Sequence, residues 1–467
     1  MKKTLTLLFS FIFLFLSIGT LPASAAYNKE IDFDANIVYL ESLDQGTVIF
    51  DKNANLRTAE ASLTKITTAI VVLDNCKDLD AVVTTSSKVM DTLVGTNSSA
   101  AGITVGEKLT VRQLLSLMLI KSANEAASIL ADYVGGDIDT FVGMMNDFAK
   151  ARGCKNTHYT NPHGLDDPNH YTTAADLAKI IKYALKNKTF CEIVASPSYT
   201  LPKTNKRESV KYSNTNLLLM PRSSYYYEPC KGIKTGTTEN AGKCLASYAV
   251  KNGYTYLCIV MQAPHKDSNG DGMKDNYALI DTVKAYEWAF NNIKLKVVAD
   301  PSTIGPIVDV KLAKKVDHVR LVPKEEVSAL IPSNVDVSAI YIEPIKNSID
   351  PNLKAPIKAG EVLGKANVKY AGDTLCKIDL VAGEDVKMSV PLYIGYLLKK
   401  LFTSTAMKII LAILGVLLLI YIVVNVIYSN KKKKKHINMV RYDIKPGQKF
   451  SLNENPGNKS NSSHRKR

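Results

Sequence analysis

The sequence predicts an α/β domain in which helices flank an antiparallel sheet, followed by a small all-β domain and one transmembrane helix. Strand-like and helix-like patterns alternate along residues 30–294 and predict the first domain. Near residue 296 the helical periodicity fades, and short runs rich in Val, Ile and Pro predict an all-β domain over residues 296–395. A long uncharged run nearer the C-terminus predicts the membrane helix.

The N-terminus has the features of a secretory signal peptide, which we assign to residues 1–25. Lys2 and Lys3 precede a short apolar stretch at residues 7–16, and Ala23-Ser24-Ala25 forms a small-residue cleavage site. An uncleaved anchor helix is the alternative, and the shortness of the apolar stretch disfavours it. The sequence therefore predicts export of the residues that follow.

The predicted sheet contains two hairpins, one early and one late in the first domain. Residues 37–42 and 47–52 alternate apolar and polar side chains around a turn, as do residues 243–250 and 254–261. Helical periodicity marks four segments: residues 61–71, 114–133, 174–185 and 277–290. In the all-β domain the clearest strand-like runs are residues 308–311, 339–342 and 362–368.

Residues 407–428 predict a transmembrane helix, because residues 409–428 carry no charge. At about 1.5 Å per residue this run spans about 30 Å, the thickness of one hydrocarbon core. Five lysines follow at residues 431–435 and place the tail, residues 429–467, on the cytoplasmic side. A buried core helix is the alternative. Residues 391–405 are expected to lie along the membrane surface.

The net charge of +15 comes mostly from the tail, since residues 429–467 hold 12 Lys and Arg against two acidic residues. The exported part is nearly neutral, so nucleic-acid binding has no support. The seven cysteines form no CxxC pair, which makes a metal or redox motif unexpected. Unpaired buried thiols are the default interpretation, although export also permits disulfides.

Three short motifs follow one another along the chain: Ser62-Leu63-Thr64-Lys65, Ser122-Ala123-Asn124 and Lys234-Thr235-Gly236. A serine hydroxyl needs a base within hydrogen-bond reach, and Ser62 and Lys65 share one helix face. Lys65 can act as that base only when neutral, a state that burial and a second cation such as Lys234 favour. Each motif alone has a structural alternative, such as a helix-capping serine. Together they predict acyl transfer through a serine ester.

The ordered motifs resemble those of the low-molecular-mass penicillin-binding proteins, which are serine-type D-Ala-D-Ala carboxypeptidases. Two further segments between the second and third motifs resemble the family, Asn161-Pro162-His163-Gly164-Leu165 and His170-Tyr171-Thr172-Thr173-Ala174. In the predicted all-β domain the segment Ala355-Pro356-Ile357-Lys358-Ala359-Gly360 does so too. The resemblance covers residues 30–395 and implies a penicillin-binding, β-lactamase-like transpeptidase fold.

The resemblance also implies roles for the matching residues. Ser62 would form the acyl-enzyme, with Lys65, Ser122, Asn124 and Lys234 as its catalytic partners. The backbone N–H groups of Ser62 and Thr237 would form the oxyanion hole, and Thr235 beside Lys234 would hold the terminal carboxylate of the substrate. Gly236 would let the strand edge approach the substrate. Peptidoglycan stem peptides are the implied substrates and β-lactams the implied covalent inhibitors, with no metal and no cofactor.

The chain departs from the family pattern in the region that recognises the carboxylate. Thr237 follows the third motif where some relatives carry histidine, and Ser213-Asn214-Thr215-Asn216 lacks the basic residue that some relatives place there. Arg222 is near in sequence, but nothing else supports it. The anchor also differs, because many relatives hold the membrane with an amphipathic helix rather than a spanning one.

Two other functions stay open at this point: a β-lactamase and a catalytically silent wall-binding scaffold. No Glu-x-x-Leu-Asn segment stands between the second and third motifs, and all three motifs are intact. An endopeptidase would use the same residues as a carboxypeptidase. Residues 267–272 begin like a calcium loop, but the twelfth position is Ala278, so a turn is expected. We interpret His163 and His170 as turn and helix-entry residues.

Overall fold

The structure is a computed structural model that describes residues 31–440, except residues 97, 268, 269 and 271, with side chains as far as residue 432. The predicted signal peptide and the tail beyond residue 440 lie outside the described residues. So do three of the residues in the segment that begins like a calcium loop.

The strands of the described chain fall in two groups, before and after residue 292. The first group is β1 Ile37–Ser42, β2 Thr47–Lys52, β3 Val82–Thr84, β4 Lys108–Thr110, β5 Ser198–Leu201, β6 Val210–Ser213, β7 Cys230–Thr238, β8 Gly242–Lys251, β9 Tyr254–Ala263, β10 His265–Lys266 and β11 Asp275–Asn276. The second is β12 Ile293–Ala299, β13 Ile307–Asp309, β14 His318–Pro323, β15 Val327–Pro332, β16 Tyr341–Pro344, β17 Val362–Tyr370 and β18 Asp373–Ala382.

Most described helices lie between the two hairpins of the first group. They are α1 Thr64–Asn75, α2 Ser87–Asp91, α3 Val111–Ser116, α4 Asn124–Gly135, α5 Ile138–Ala151, α6 Ala174–Ala184, α7 Lys188–Val194, α8 Tyr277–Asn292, α9 Val390–Thr403 and α10 Thr405–Val440. Short 3-10 turns occur at Ala61–Leu63, Leu217–Leu219 and Val337–Ala339, and a π-helical turn at Leu117–Lys121.

The main sheet is antiparallel with the order β2-β1-β9-β8-β7, so β7 lies at its edge. Both predicted hairpins are observed, β1–β2 and β8–β9. Alternate residues of β1 enter different cores: Ile37 packs with the helices between the hairpins, and Val38 packs with α8. This division follows the two-residue period of a strand and explains why every residue of β1 is buried.

The predicted helix over residues 114–133 is not continuous. After α3 the chain forms the π-helical turn Leu117–Lys121, and α4 begins only at Asn124. Ser122 between them has φ 66° and ψ 31°, a left-handed conformation that ends helical hydrogen bonding. Apolar periodicity could not reveal the interruption, because the residues on both sides are buried.

The second group of strands contains an antiparallel sheet with the order β13-β14-β18-β17-β16 and a separate pair, β12–β15. The expected run at residues 308–311 is a shorter strand, β13, and the one at 339–342 is a 3-10 turn followed by β16. The predicted all-β character after residue 296 is confirmed as far as β18. The boundary itself, between residues 294 and 296, stays a prediction, since β12 runs across it.

The chain divides into two compact units. The first runs to Asp309 and includes His318–Leu353 and Ile357–Asp385; the second comprises Val310–Asp317, Lys354–Pro356 and the chain from Val386 onward. Within the second unit, Thr405–Lys432 is long and apolar enough to cross a membrane, and none of it is buried. This helix contains the predicted transmembrane residues 407–428.

Candidate active site

The candidate nucleophile stands on a tight turn at the start of α1. Ser62 is the middle residue of the 3-10 turn Ala61–Leu63, and it is half-buried. Ala61 before it has φ 49°, a left-handed conformation that is rare for a residue with a Cβ. Such strain persists only where the surroundings hold it, which directs attention to the residues packed on this turn.

Lys65 lies one turn along from Ser62, and its side chain is fully buried. Its Nζ is 2.9 Å from the Ser62 Oγ, 2.6 Å from the Asn124 Oδ1 and 2.7 Å from the backbone oxygen of His163. Burial lowers the pKa of Lys65 well below its ordinary value, the positive charge of Lys234 lowers it further, and Glu125 opposes the shift. The site thereby favours the neutral amine that can accept a proton.

The second motif lies where the helical chain is interrupted. The left-handed backbone at Ser122 ends the π-helical turn, and the next helix begins with Asn124, whose side chain is 3% exposed. Glu125 was not expected from the sequence: it is buried, and its Oε1 accepts the backbone N–H groups of Ala101 and Gly102. After this break the side chains of Asn124 and Glu125 are buried, and Glu125 ties the loop at residues 101–102 to α4.

The third motif occupies the edge strand β7. Lys234 is 1% exposed, its Nζ donates to the backbone oxygen of Thr235 at 2.9 Å, and burial lowers its pKa to about 7. The Thr235 hydroxyl donates to the Thr215 hydroxyl at 2.6 Å. Thr215 belongs to the segment in which the sequence lacks the expected basic residue. A hydroxyl pair therefore stands beside the third motif.

Gly236 explains how β7 comes so close to the nucleophile. A Cβ at this position would lie 2.9 Å from the backbone oxygen of Glu60, 3.1 Å from the Ala61 Cβ and 3.2 Å from the Ser62 nitrogen. Only glycine leaves room for the strand against the turn. Thr237, next along β7, is exposed.

A loop over residues 161–170 closes the other side of the nucleophile turn, and the sequence showed its importance only through the family resemblance. The backbone oxygen of His163, rather than its ring, accepts a hydrogen bond from Lys65 at 2.7 Å. Gly164 has φ 86°, and a Cβ there would lie 1.9 Å from the Ala61 oxygen. Asp166 accepts the Thr238 hydroxyl at 2.7 Å and so ties this loop to the end of β7.

The structure thus joins Ser62, Lys65 and Asn124 by hydrogen bonds, and places Lys234 near enough to influence Lys65. Arg222 is exposed, and among the described residues no hydrogen bond or ion pair joins its side chain to this group. The seven cysteines all lie in the described chain as free thiols, four of them buried and three partly exposed. Among the described residues, no group of three His, Cys, Asp or Glu side chains is placed to hold a metal.

Fold and motifs together define a serine enzyme of the penicillin-binding type. The family described as D-alanyl-D-alanine carboxypeptidase, peptidase family S11, matches residues 23–265, more than half of the chain. This protein belongs to that family, and it is a serine-type D-Ala-D-Ala carboxypeptidase. Residues 305–388 match the C-terminal domain of penicillin-binding protein 5.

Two similar proteins have the same description, and a third is named an endopeptidase. The D-alanyl-D-alanine carboxypeptidase DacF of Bacillus subtilis is 28% identical over 361 residues, which cover 77% of this chain and 87% of the relative. A D-alanyl-D-alanine carboxypeptidase of Streptomyces sp. strain K15 is 34% identical over 256 residues, 52% of this chain and 86% of the relative. A D-alanyl-D-alanine endopeptidase of Pseudomonas aeruginosa is 29% identical over 257 residues, 54% of this chain and 80% of the relative.

Solved structures confirm the predicted fold class. Penicillin-binding protein 5 from Haemophilus influenzae aligns with a TM-score of 0.56 and 25% identity over 76% of this chain and 98% of that chain. The carboxypeptidase DacD from Francisella tularensis aligns with a TM-score of 0.61 over 80% of this chain and 97% of that chain; at 23% identity it supports the fold alone. The comparisons favour the carboxypeptidase over the β-lactamase and the silent scaffold.

Proposed function

We propose that Ser62 carries the carboxypeptidase reaction by attacking the carbonyl carbon of the penultimate D-Ala of a peptidoglycan stem peptide. The observation that supports this most directly is the 2.9 Å distance between the Nζ of the fully buried Lys65 and the Oγ of the half-buried Ser62. The Oγ–C bond forms as the neutral Lys65 amine takes the hydroxyl proton. The product of this step is a tetrahedral oxyanion with a protonated Lys65 beside it.

The collapse of that intermediate expels the terminal D-Ala. The C–N bond breaks, and the leaving nitrogen needs a proton, which we assign to Lys65 acting through the Ser122 hydroxyl. Asn124 fixes the amine during both transfers, since its Oδ1 lies 2.6 Å from the Lys65 Nζ. Water then hydrolyses the Ser62 ester, and the shortened stem peptide leaves. A β-lactam would form the same ester and hydrolyse slowly.

The edge of β7 is the proposed binding surface for the peptide. Lys234 and Thr235 would hold the terminal carboxylate, and the Thr215 hydroxyl, 2.6 Å from that of Thr235, fixes the orientation of its partner. The backbone N–H groups of Ser62 and Thr237 would stabilise the oxyanion. Gly236 allows the strand to stand against the nucleophile turn, as its close approach to Ala61 indicates.

We also propose that the protein is a single-pass membrane protein with its catalytic part outside the cell. The apolar stretch within Thr405–Lys432 has the length of one span, and lysines at residues 431–435 favour a cytoplasmic tail. The signal peptide at residues 1–25 would deliver the catalytic domain, residues 30–294, and the β-rich domain, residues 296–395, to the wall side of the membrane.

Labelling with a fluorescent penicillin tests the proposal. The parent chain should bind it stably, the Ser62→Ala variant should not, and mass spectrometry should place the adduct on Ser62. An adduct on another side chain would refute the assignment, and rapid turnover of the drug would instead indicate a β-lactamase.

A second assay separates carboxypeptidase from endopeptidase activity. Release of free D-Ala from a linear pentapeptide is the expected product. Cleavage confined to a cross-linked dimer would indicate the activity of the Pseudomonas relative, which is named an endopeptidase.

A further inference from the structure

Glu60, two residues before Ser62, is a buried acid to which the proposed reaction assigns no role. Its side chain is completely inaccessible to solvent. Among the described residues, neither of its carboxyl oxygens has a hydrogen-bond partner. A carboxylate in such a place loses its hydration, and the nearby Thr64 hydroxyl compensates this loss only in part, so the neutral acid is favoured. Burial accordingly raises the pKa of Glu60 to about 8.

The ring of His170 lies close to this carboxyl, and hydrogen bonds to other groups already engage both ring nitrogens. The backbone N–H of Thr160 donates to the His170 Nδ1 at 3.2 Å, so the neutral ring carries its proton on Nε2. That Nε2 lies 2.9 Å from the Thr64 Oγ1 and 3.8 Å from the Glu60 Oε1. The N–H group therefore donates to Thr64 and not to Glu60.

Thr64 also forms a hydrogen bond with Ala61, the strained residue before the nucleophile. Its Oγ1 donates to the backbone oxygen of Ala61 at 2.8 Å, and Ala61 has φ 49°. A chain of two hydrogen bonds, from His170 through Thr64 to Ala61, thus holds the turn on which Ser62 stands. Both hydrogen bonds are present while His170 is neutral and its Nε2–H points at Thr64.

The other titratable groups around Glu60 and His170 give an ionised Glu60 little electrostatic stabilisation. The groups that sense the charge of Glu60 from neighbouring elements are Tyr159, Cys154 and Cys244. Those that act on His170 are Asp167, His158, Asp166 and Lys65, and burial lowers the pKa of His170 to about 4. Tyr159 and the two thiols carry no positive charge, so none of them can neutralise a carboxylate there.

We propose that Glu60 is held as a neutral carboxylic acid and positions the nucleophile turn, so that its ionisation in alkaline solution slows the acylation of Ser62. An ionised Glu60 would draw the Nε2–H of His170, which lies 3.8 Å from the Glu60 Oε1, away from Thr64. The Ala61 carbonyl would then lose its support, and the Ser62 Oγ would leave its place beside Lys65. Glu60 is on this view a positioning residue, and the proposal rests on Ser62 being the proposed nucleophile.

The Glu60→Gln variant of the full chain tests this, because glutamine has nearly the same shape and cannot ionise. We expect equal rates of acylation by a fluorescent penicillin at pH 7. Above the pKa of about 8, the parent rate should fall about tenfold per pH unit, and the variant should lack that fall. Lys234 titrates in both proteins, so the ratio of their rates isolates Glu60.

Glu41→Gln is the matched control, since Glu41 is also buried but is paired with Lys182 at 2.6 Å. This variant should retain the alkaline fall of the parent. An alkaline fall that persists unchanged in Glu60→Gln would overturn the proposal.

Infrared spectroscopy supplies a readout that does not depend on Ser62. The parent at neutral pH should show a carboxylic acid carbonyl band that shifts when the protein carries carbon-13 glutamate, and that disappears in alkaline solution. No such band would mean that Glu60 is ionised, and this would refute the proposal even if Glu60→Gln did not fold. Loss of penicillin labelling at Ser62, with the band present, would instead refute the proposed nucleophile.

Discussion

At the scale of single residues, burial determines the chemistry of two lysines. Lys65 and Lys234 are both almost inaccessible, and in both the loss of hydration disfavours the charged form. Their surroundings then separate their roles. Lys65 contacts the Ser62 hydroxyl, whereas Lys234 lies on the strand that would receive the substrate. One amine is placed to move a proton, and the other to attract an anion.

Replacing Lys65 with arginine should slow the acylation of Ser62 by about 10²- to 10⁴-fold, because a guanidinium stays protonated and cannot accept the hydroxyl proton. The penicillin acylation rate constant is the measurement. Lys251→Arg is the control, since Lys251 bonds Glu287 on another part of the surface. Full-rate acylation by Lys65→Arg would contradict the assignment of Lys65 as the base.

The charge of Lys234 should make peptide binding depend on pH. With a pKa of about 7, Lys234 is cationic below that pH and loses its charge as the pH rises through it. The KM for a stem peptide should therefore rise above pH 7, while Lys234→Arg, which keeps its charge, should show a flat KM. Steady-state D-Ala release across the pH range measures this, and a KM that falls with pH would exclude the carboxylate role.

At the scale of elements, two glycines let the strand β7 and the 161–170 loop close on the nucleophile turn. A side chain at Gly236 or Gly164 would meet the backbone of Glu60 or Ala61. The turn is therefore held from both sides by backbone packing as well as by hydrogen bonds, and this restraint keeps Ala61 in its left-handed conformation.

The Gly164→Ala substitution should slow acylation of Ser62 more than the cost of a left-handed backbone conformation alone would explain. Its Cβ would fall 1.9 Å from the Ala61 oxygen, so the turn must move. Gly153→Ala is the matched control, because Gly153 has a similar φ of 72° but nothing within 4 Å of its Cβ. We expect the control to lose about 1 kcal/mol of stability and keep its acylation rate. Gly164→Ala should lose at least tenfold in rate, and similar rates in both variants would contradict this.

At the scale of the whole molecule, the catalytic residues and the apolar helix belong to separate units of the chain. The residues that hold Ser62 all precede Asp309, and the candidate membrane span begins at Thr405. The two parts also differ in composition, since the catalytic residues are polar and the exposed side chains of the span are almost all apolar. Anchoring and catalysis should therefore be separable by truncation.

A chain that ends after Ser404 should be released from the membrane and still bind penicillin at the parental rate. A chain that ends after Lys435 keeps the span and its lysines, and it should stay in the membrane fraction. Fractionation followed by penicillin labelling measures both properties. Retention of the shorter chain in the membrane would show that residues before 405 suffice for anchoring.

The sequence alone predicted both hairpins and the helices α6 and α8, because a two-residue or 3.6-residue period can be seen wherever one face of a strand or helix is buried. It also predicted the nucleophile and its base, since Ser62 and Lys65 are neighbours on one helix turn. Tertiary structure decided the rest. Three features depend on segments far apart in the chain: the left-handed break at Ser122, the bond from Lys65 to the His163 backbone oxygen, and the complete burial of the Glu60 carboxyl. Their effects arise from packing and desolvation, which a local sequence pattern does not contain.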